Sequence, residues 1–284
     1  MSKIHVLTDS AASLPREAIN DLPLSIIPTW IQVADQSFRE GIDLDSAQLY
    51  ELFRQGAFPT TSQPSPGDFL EFFKPLVEQG KRVIAVLVTA KGSGTCASAS
   101  IAAEMFPEGA VTVFDSATTA MGTGLQAIAA AEAARAGQSI PEIMAKLVEV
   151  RENTKVHLAV PTLQYLSRSG RISQAKALLA GILNIKVVLT TENGIVVVGE
   201  KTRSWQNAIN ALEAQVLRAG EKTPLVLAVY HTDVPTLARE LYQRLDAKVS
   251  IARGYISELS ASLAVHGGPG MLGAAFCPAH LFAI

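Results

Sequence analysis

The sequence predicts an α/β protein built on a mostly parallel sheet that is flanked by helices. Short apolar, β-branched runs alternate with helical patterns from one end of the chain to the other, which is typical of this class. With 284 residues, 48% of them hydrophobic, the chain is long enough for one large domain or two ordinary ones, with a large core. We expect domains at residues 1–155 and 156–284, because the polar run Asn153–Lys155 is the best candidate boundary.

In the first half, the β-branched runs predict strands and the stretches between them predict helices. The predicted strands are Ile4–Leu7, Ile26–Val33, Val83–Val88 and Val111–Phe114, and the predicted helices are Ser46–Gln55, Pro66–Gln79, Thr95–Glu104, Gly122–Ala136 and Ile140–Glu152. Two of these helices have marked starts, because Ser65–Asp68 and Ser139–Glu142 both have the pattern of a capping box with proline in the first turn.

The second half continues the alternation and adds a hairpin signal. The predicted strands are His157–Val160, Lys186–Thr190, Ile195–Gly199, Leu225–Tyr230, Val249–Ala252 and Leu272–Phe276, and the predicted helices are Gln174–Leu183, Trp205–Ala219, Val234–Leu245 and Ser257–Ala264. The segment Thr190–Ile195 contains Asn-Gly between two strand patterns, which is typical of a tight hairpin turn. We therefore expect an antiparallel pair, and with it a mixed sheet, in this half.

Composition excludes several classes of function. The net charge of −2 without a stripe of Lys and Arg argues against nucleic acid binding. No apolar run approaches the roughly 20 residues of a membrane-spanning helix, and Met1–Asp9 enters a strand without a signal-peptide pattern. Cys96 and Cys277 lie far apart without metal-site spacing, which favours the cytoplasm and no bound metal. The excess of apolar residues has two interpretations, a buried apolar ligand or an alanine-rich core.

Two polar segments of the first half predict an anion site. Pro59–Pro66 carries four hydroxyl side chains, among them Thr61 and Ser62, and three prolines on an expected loop. Gly92–Thr95 follows a strand and opens a helix, so its backbone N–H groups point to a position where the helix dipole favours negative charge. The alternative is structural, because Ser93 can cap the helix and the other hydroxyls can be turn residues.

A third segment, His266–Gly270, combines a histidine with three glycines and a proline. Glycines let the backbone approach a ligand closely, and the histidine can donate a hydrogen bond to an anion. Two further basic segments are ambiguous. Arg168 and Arg171 lie on either side of a glycine and can bind an anion or cap the preceding helix, whereas Lys201–Arg203 follows a strand and can be a solvated turn.

The sequence lacks the motifs of several common enzymes. Gly122–Ala127 fits the dinucleotide pattern GxGxxA, but it lies too far beyond the preceding predicted strand to carry weight. Neither a GxxxxGK[ST] phosphate loop nor an HExxH zinc motif occurs. Ser93, His266 and Asp9 contain the residue types of a hydrolase triad, but Ser93 is not in the GxSxG context of a nucleophile elbow. No catalytic residue is therefore predicted.

Taken together, these segments resemble the DegV family of bacterial proteins. The matching pieces are Leu7-Thr8-Asp9-Ser10, Thr61–Ser65, Ser93–Thr95, Phe114–Ser116, Leu163–Ile172 and His266–Gly270, in the family's order and over nearly the whole chain. Three positions depart from the family's pattern: Cys96 replaces a common aromatic residue, Ser169 replaces a usual glycine and Gly267 replaces a usual threonine. The last of these removes a hydroxyl donor beside the expected ligand head group.

The resemblance implies a two-domain protein that buries one long-chain fatty acid, with the carboxylate at the domain interface. It further implies that the bound acid is presented to a separate ATP-dependent kinase subunit, which makes the acyl phosphate. The implied carboxylate-binding residues are Thr61, Ser62, Ser93, Gly94, His266 and Gly267. Arg203 approximately matches a basic residue that docks the partner. We expect a non-catalytic carrier without a cofactor, because phosphoryl transfer needs nucleotide and metal groups that this sequence lacks.

Two other functions stay open from sequence. The first is an esterase or thioesterase that uses Ser93 as its nucleophile. The second is a lipid sensor without a kinase partner, which would bind the acid and yield no product with a kinase and ATP.

Overall fold

The structure, a computed structural model, describes residues 3–171 and 185–283. Within these ranges the strands are β1 (Ile4–Asp9), β2 (Leu24–Ile27), β3 (Trp30–Val33), β4 (Gln36–Arg39), β5 (Thr60–Ser62), β6 (Arg82–Leu87), β7 (Val111–Asp115), β8 (Lys155–Val160), β9 (Lys186–Glu192), β10 (Ile195–Thr202), β11 (Leu225–His231), β12 (Ile251–Glu258) and β13 (Leu272–Pro278). The α-helices are α1 (Ser46–Arg54), α2 (Pro66–Glu78), α3 (Thr95–Ala103), α4 (Met121–Arg135), α5 (Ile140–Asn153), α6 (Gln164–Ser169), α7 (Trp205–Gly220), α8 (Pro235–Asp246) and α9 (Ala261–Gly267).

The first sheet is parallel and has the order β2-β1-β6-β7. Its strands are apolar on both sides because helices cover both faces. Phe69 and Phe73 of α2 pack on one face together with Ala99 of α3, and residues of α4 and α5 pack on the other. The predicted parallel sheet with flanking helices is confirmed.

Both predicted capping boxes are present. The backbone N–H of Ser65 donates to the carboxylate of Asp68 over 2.7 Å, and the backbone N–H of Asp68 donates back to Ser65 Oγ over 3.1 Å. At the start of α5 the backbone N–H of Ser139 donates to the carboxylate of Glu142 over 2.7 Å. These bonds satisfy backbone donors that a helix terminus leaves without intrahelical partners, so they help to fix where the two helices begin.

Helix α4 lies between the first sheet and the sheet of the second half. Leu125 and Ile128 pack with side chains of the second sheet, whereas Ala127 and Ala130 pack with those of the first. A helix that is apolar around its whole circumference must be buried on all sides. A Cβ atom at Gly122 would lie 2.4 Å from Cγ2 of Val156, so this glycine serves close packing. The GxGxxA pattern is therefore a packing feature.

The second sheet is mixed, with the order β10-β9-β8-β13-β11-β12. Strands β11 and β12 are parallel, and the other neighbours are antiparallel. The hairpin expected around Thr190–Ile195 is confirmed, because Ile195 pairs with Glu192 across the turn. Each described strand of this sheet begins at or after Lys155. The boundary expected between residues 155 and 156 falls one residue inside β8, and the division into these two ranges stays a prediction.

A small antiparallel sheet, β4-β3-β5, was not predicted. The expected strand Ile26–Val33 is in fact two strands, which belong to different sheets and are separated by Pro28 and Thr29. Proline lacks the N–H that a continuous ladder requires. The expected hydroxyl loop Pro59–Pro66 also contains a strand, since Thr61 pairs with Ile31.

Two element bounds in the second half were wrong. The strand expected at Val249–Ala252 runs instead over Ile251–Glu258. The helix expected from Ser257 begins at Ala261, because Ser260 is the N-cap and its hydroxyl accepts from the backbone N–H of Leu263. The helix expected at Gln174–Leu183 lies outside the described residues. Among the helices of the two described ranges, none combines the length and apolarity required to cross a membrane.

Candidate ligand-binding site

A cavity of about 420 Å³ lies between the second sheet and the loops that follow β1, β6 and β7. This volume is in the range of small-molecule sites, and the carboxyl ends of parallel strands are a common place for ligands in α/β proteins. The apolar wall includes Val156, Leu158, Leu189, Val196, Leu259 and Met271. The six residues predicted to bind a carboxylate, Thr61, Ser62, Ser93, Gly94, His266 and Gly267, also line this cavity. Three segments that are distant in sequence therefore meet at one place.

Thr61 and His266 are in direct contact. Strand β5 carries Thr61, helix α9 carries His266, and Thr61 Oγ1 lies 2.9 Å from His266 Nε2. Burial, with a smaller contribution from the charge of Arg171, lowers the pKa of His266 to about 4, so the ring is neutral at pH 7. If the ring proton is on Nε2, the imidazole donates to Thr61 Oγ1 and leaves the threonine hydroxyl free to donate to an anion.

Ser93 lies in the turn that precedes α3. Its Oγ is 2.7 Å from Thr95 Oγ1 and accepts from the backbone N–H of Thr95 over 3.3 Å. The expectation that Ser93 caps the helix is wrong, because the N-cap is Gly94; the Ser93 hydroxyl instead stabilises the turn at the helix start. The same side chain is only half-buried and forms part of the cavity lining. One hydroxyl can serve both purposes, because it has one proton to donate and two lone pairs.

The two hydroxyl-rich segments of the first half touch at Gly94. A Cβ atom at this position would lie 2.9 Å from Nε2 of Gln63, so a larger residue would push the Gln63 side chain away. Glycine therefore permits the segment after β5 to approach the helix start. The result is a polar end of the cavity at which Thr61, Ser93 and the N-terminus of α3 line one space.

The glycine-rich segment after His266 packs against protein side chains. A Cβ atom at Gly267 would lie 2.2 Å from Sδ of Met271, and one at Gly268 would lie 2.3 Å from Cδ2 of Tyr165. Gly268 also has a φ of +83°, a conformation that glycine adopts without strain. Met271 thus fills the space in which a side chain at position 267 would begin.

The arrangement does not form a hydrolase triad. Within the described residues, Ser93 hydrogen-bonds to Thr95, and no hydrogen bond joins it to His266. The carboxylate of Asp9 accepts from the backbone N–H groups of Ala11 and Val88. Burial raises the pKa of Asp9 to about 6. These three side chains therefore lack the contacts by which a base activates a serine.

The remaining sequence candidates, Arg203, Arg168 and Arg171, lie in three different settings. Arg203 is exposed in the bend between β10 and α7 and is not among the residues that line the cavity. The guanidinium of Arg168 stacks on the ring of Phe58 at 3.6 Å from its centroid. Arg171, which the sequence left between anion binding and helix capping, does line the cavity, and its Nη1 donates to the carbonyl of Ser169.

Comparison with known proteins identifies the family. A profile described as "uncharacterised protein, DegV family" matches residues 3–279. A DegV domain-containing protein of Deinococcus radiodurans is 34% identical over 281 residues, which cover 97% of this chain and 98% of that protein. The chain therefore belongs to the DegV family.

Two solved structures are similar over nearly the full length. A DegV family protein from Thermus thermophilus, whose structure is described as showing fatty acid binding, has a TM-score of 0.88 at 31% identity and covers 98% of this chain and 100% of its own. DegV from Bacillus subtilis, described as a fatty acid binding protein, has a TM-score of 0.89 at 30% identity, with 98% and 99% covered. These similarities confirm the two-domain α/β fold.

Proposed function

We propose that this protein binds one long-chain fatty acid, with the hydrocarbon chain in the apolar cavity and the carboxylate at its polar end. The observation that carries the proposal is the contact between Thr61 and His266 at the polar end of a mainly apolar cavity. The two similar structures from Thermus thermophilus and Bacillus subtilis, both described as fatty acid binding, support it.

The hydrocarbon chain supplies most of the binding free energy in this proposal. Burying about 14 methylenes at about 0.8 kcal/mol each contributes on the order of 10 kcal/mol. The wall that receives the chain comes mainly from strands of the second sheet, among them β8, β9 and β10. Burial of the hydrocarbon tail already supplies the affinity. The polar end therefore has to provide hydrogen bonds for the carboxylate oxygens and to orient the carboxylate.

The carboxylate would accept hydrogen bonds from the hydroxyls of Thr61 and Ser93. His266 would hold the Thr61 hydroxyl in its donating orientation, and the N-terminus of α3 would add the favourable end of its dipole. Ser62, Gly94 and Gly267 would shape the space around the head group. The exposed Arg171 places a positive charge at the cavity lining. Each of these groups suits an anion that is held without being cleaved.

The finer part of the proposal is that the protein acts as a non-catalytic cytoplasmic carrier. It would present the bound carboxylate to a separate ATP-dependent kinase subunit, which forms the acyl phosphate. Arg203 would contact that partner from its exposed bend. A catalytic Ser93 is not favoured, because the side chain lacks a base among its described hydrogen-bond partners.

Denaturing extraction followed by lipid mass spectrometry tests the ligand. The purified protein should release about one fatty acid per chain, or take up added palmitate or oleate to that ratio.

Thr61→Val and Ser93→Ala should each weaken binding about tenfold, because a hydrogen bond to a charged group is worth about 1.5–3 kcal/mol. Cys96→Ser is the matched control, since the buried Cys96 contacts the Val88 carbonyl and should leave affinity unchanged. A protein that neither carries nor takes up fatty acid would refute the proposal.

A further inference from the structure

Helix α9 is held by the small sheet at both of its ends. At its C-terminal end His266 contacts Thr61 of β5 over 2.9 Å. At its N-terminal end the backbone N–H of Ser262 donates to Glu40 Oε1 over 3.0 Å. Glu40 directly follows β4, and β4 and β5 flank the same central strand, β3. The small sheet therefore contacts helix α9 at two points.

Glu40 is buried, and within residues 3–171 and 185–283 its carboxylate has three hydrogen-bond donors. Besides Ser262 N–H, the hydroxyls of Ser10 and Thr29 donate to Oε2 over 2.5 and 2.6 Å. Only 8% of the residue is exposed. A carboxylate in such a place is costly unless its oxygens are satisfied, so three donors on it form a specific anchor.

The helix needs an external anchor because it is short. With seven residues, α9 is too short to be stable by itself, so its stability and its placement both come from its neighbours. Ala261, Ala264 and Val265 pack with Ile31 and Leu44, which gives contact area. Apolar contacts do not fix the rotation of the helix about its axis as closely as directed hydrogen bonds do. The hydrogen bond from Ser262 N–H to Glu40 is one of the directed contacts that can fix this rotation, together with the bond from Ser260 N–H to Ser13 Oγ.

We infer that Glu40 is a positioning residue for the head group: it fixes helix α9 on the small sheet so that His266 meets Thr61 at the polar end of the cavity. This inference rests on the proposed function, in which Thr61 and His266 bind the fatty acid carboxylate. It assigns Glu40 no contact with the ligand.

A double-mutant cycle tests whether Glu40 acts through His266. Palmitate affinity is measured by isothermal titration calorimetry for the full chain, Glu40→Ala, His266→Ala and the double variant. Glu40→Ala should weaken binding about tenfold in the native background and less than about threefold when His266 is already replaced, because coupled residues are not additive. Equal losses in both backgrounds, or no loss in Glu40→Ala, would overturn the inference. Failure of the native chain to bind palmitate would instead refute the proposed function.

Two further variants distinguish the loss of the Glu40 hydrogen bonds from misfolding of Glu40→Ala. Glu40→Gln can accept from Ser262 N–H and donate to the two hydroxyls, so it should restore affinity to within about threefold of the native protein. Ser10→Ala removes one donor to Glu40 and should show the same coupling to His266 at a smaller amplitude. If Glu40→Gln is folded and binds as weakly as Glu40→Ala, the hydrogen bonds do not position the helix.

A matched control uses another buried carboxylate. Glu132 accepts from the backbone N–H of Ala283 over 3.1 Å and pairs with Arg253, away from the residues that line the cavity. Glu132→Ala should lower the melting temperature and leave palmitate affinity unchanged. A loss of affinity in this variant equal to that in Glu40→Ala would show that general destabilisation explains both, and the inference would fail.

Discussion

The two ends of the cavity are built from different kinds of structure. Its apolar wall comes from long, regularly paired strands, since Leu189 and Val196 lie on β9 and β10, which have 7 and 8 residues. Its polar end comes from short elements, because Thr61 lies on a strand of three residues and His266 on a helix of seven. The wall is part of a sheet core, whereas the polar end depends on contacts between short segments.

Because of this difference, the wall determines mainly the affinity for the acyl chain, and the polar end determines mainly the orientation of the carboxylate. Along a paired strand the side chains alternate between the two faces, so pairing within the sheet itself fixes the direction of each side chain. A short element has no such internal constraint and is placed by its neighbours, as α9 is by Thr61 and Glu40. We therefore expect substitutions in the wall to alter which hydrocarbon chains fit the cavity, and substitutions at the polar end to alter how the carboxylate is held.

The largest expected effect comes from blocking the wall with Val196→Trp. The added ring would occupy the space of about five methylenes, which corresponds to about 4 kcal/mol and to roughly 1,000-fold weaker binding of palmitate. Octanoate has a shorter chain and should lose much less. Calorimetry with both acids measures the difference.

Val197→Trp is the control for that experiment. Val197 is the next residue on β10, is not among the residues that line the cavity and points to the opposite face of the sheet. It should bind palmitate like the native chain. If Val196→Trp also binds both acids normally, the hydrocarbon chain does not lie against the second sheet.

A second prediction contrasts two partly buried histidines, His266 at the polar end and His157 on β8 outside the cavity lining. The pKa of His266 is lowered to about 4, mainly by burial, as is that of His157 on β8. An unfolded histidine titrates near 6.5, so between pH 6.5 and about 4 the unfolded state binds the extra proton. The stability associated with His266 is therefore complete above pH 6.5 and is lost as the pH falls, by on the order of 3 kcal/mol.

Denaturant unfolding of lipid-free protein from pH 7 to pH 4 measures this loss. In His266→Gln and in His157→Gln the decline should be shallower than in the native chain, since each variant removes one such group. Only His266→Gln should also weaken palmitate binding, because His157 lies outside the cavity lining and stacks on Phe276. An unchanged pH profile in His266→Gln would show that the ring is not buried in the neutral form.

Periodicity predicted the regular part of the molecule because the signal there is local. Runs such as Val83–Val88 are buried on both faces and appear as continuous apolar stretches. The Asn193-Gly194 turn marks its hairpin directly, and both of its residues have positive φ. For these elements each neighbour in sequence contributes to the same pattern, so the sequence alone was sufficient.

The polar end could not be derived in this way. Thr60–Ser62 is too short and too rich in hydroxyls to show a strand pattern, and its partner strand lies about thirty residues earlier. Thr61 and His266 are 205 positions apart in the chain, so no local rule connects them. Residue types singled out the segments that carry Thr61 and His266, and the family resemblance assigned both to one head group, whereas Glu40 carried no sequence signal and became visible only through its donors.

The smallest expected effect concerns a surface that takes no part in either end of the cavity. Arg203→Ala should leave palmitate affinity unchanged, because Arg203 is exposed at the end of β10 and outside the cavity lining. If this arginine meets an acidic surface of the kinase subunit, acyl phosphate formation should slow severalfold at low salt, since rim charges act mainly on association rate. Added salt should then reduce the native rate more steeply than the variant's rate.

Arg239→Ala, which removes an exposed charge from α8, is the control and should behave like the native chain. A loss of palmitate binding in Arg203→Ala would place this residue in the fatty acid site. Equal rates of acyl phosphate formation for the native chain and Arg203→Ala at low salt would show that Arg203 is an ordinary residue of a solvated turn.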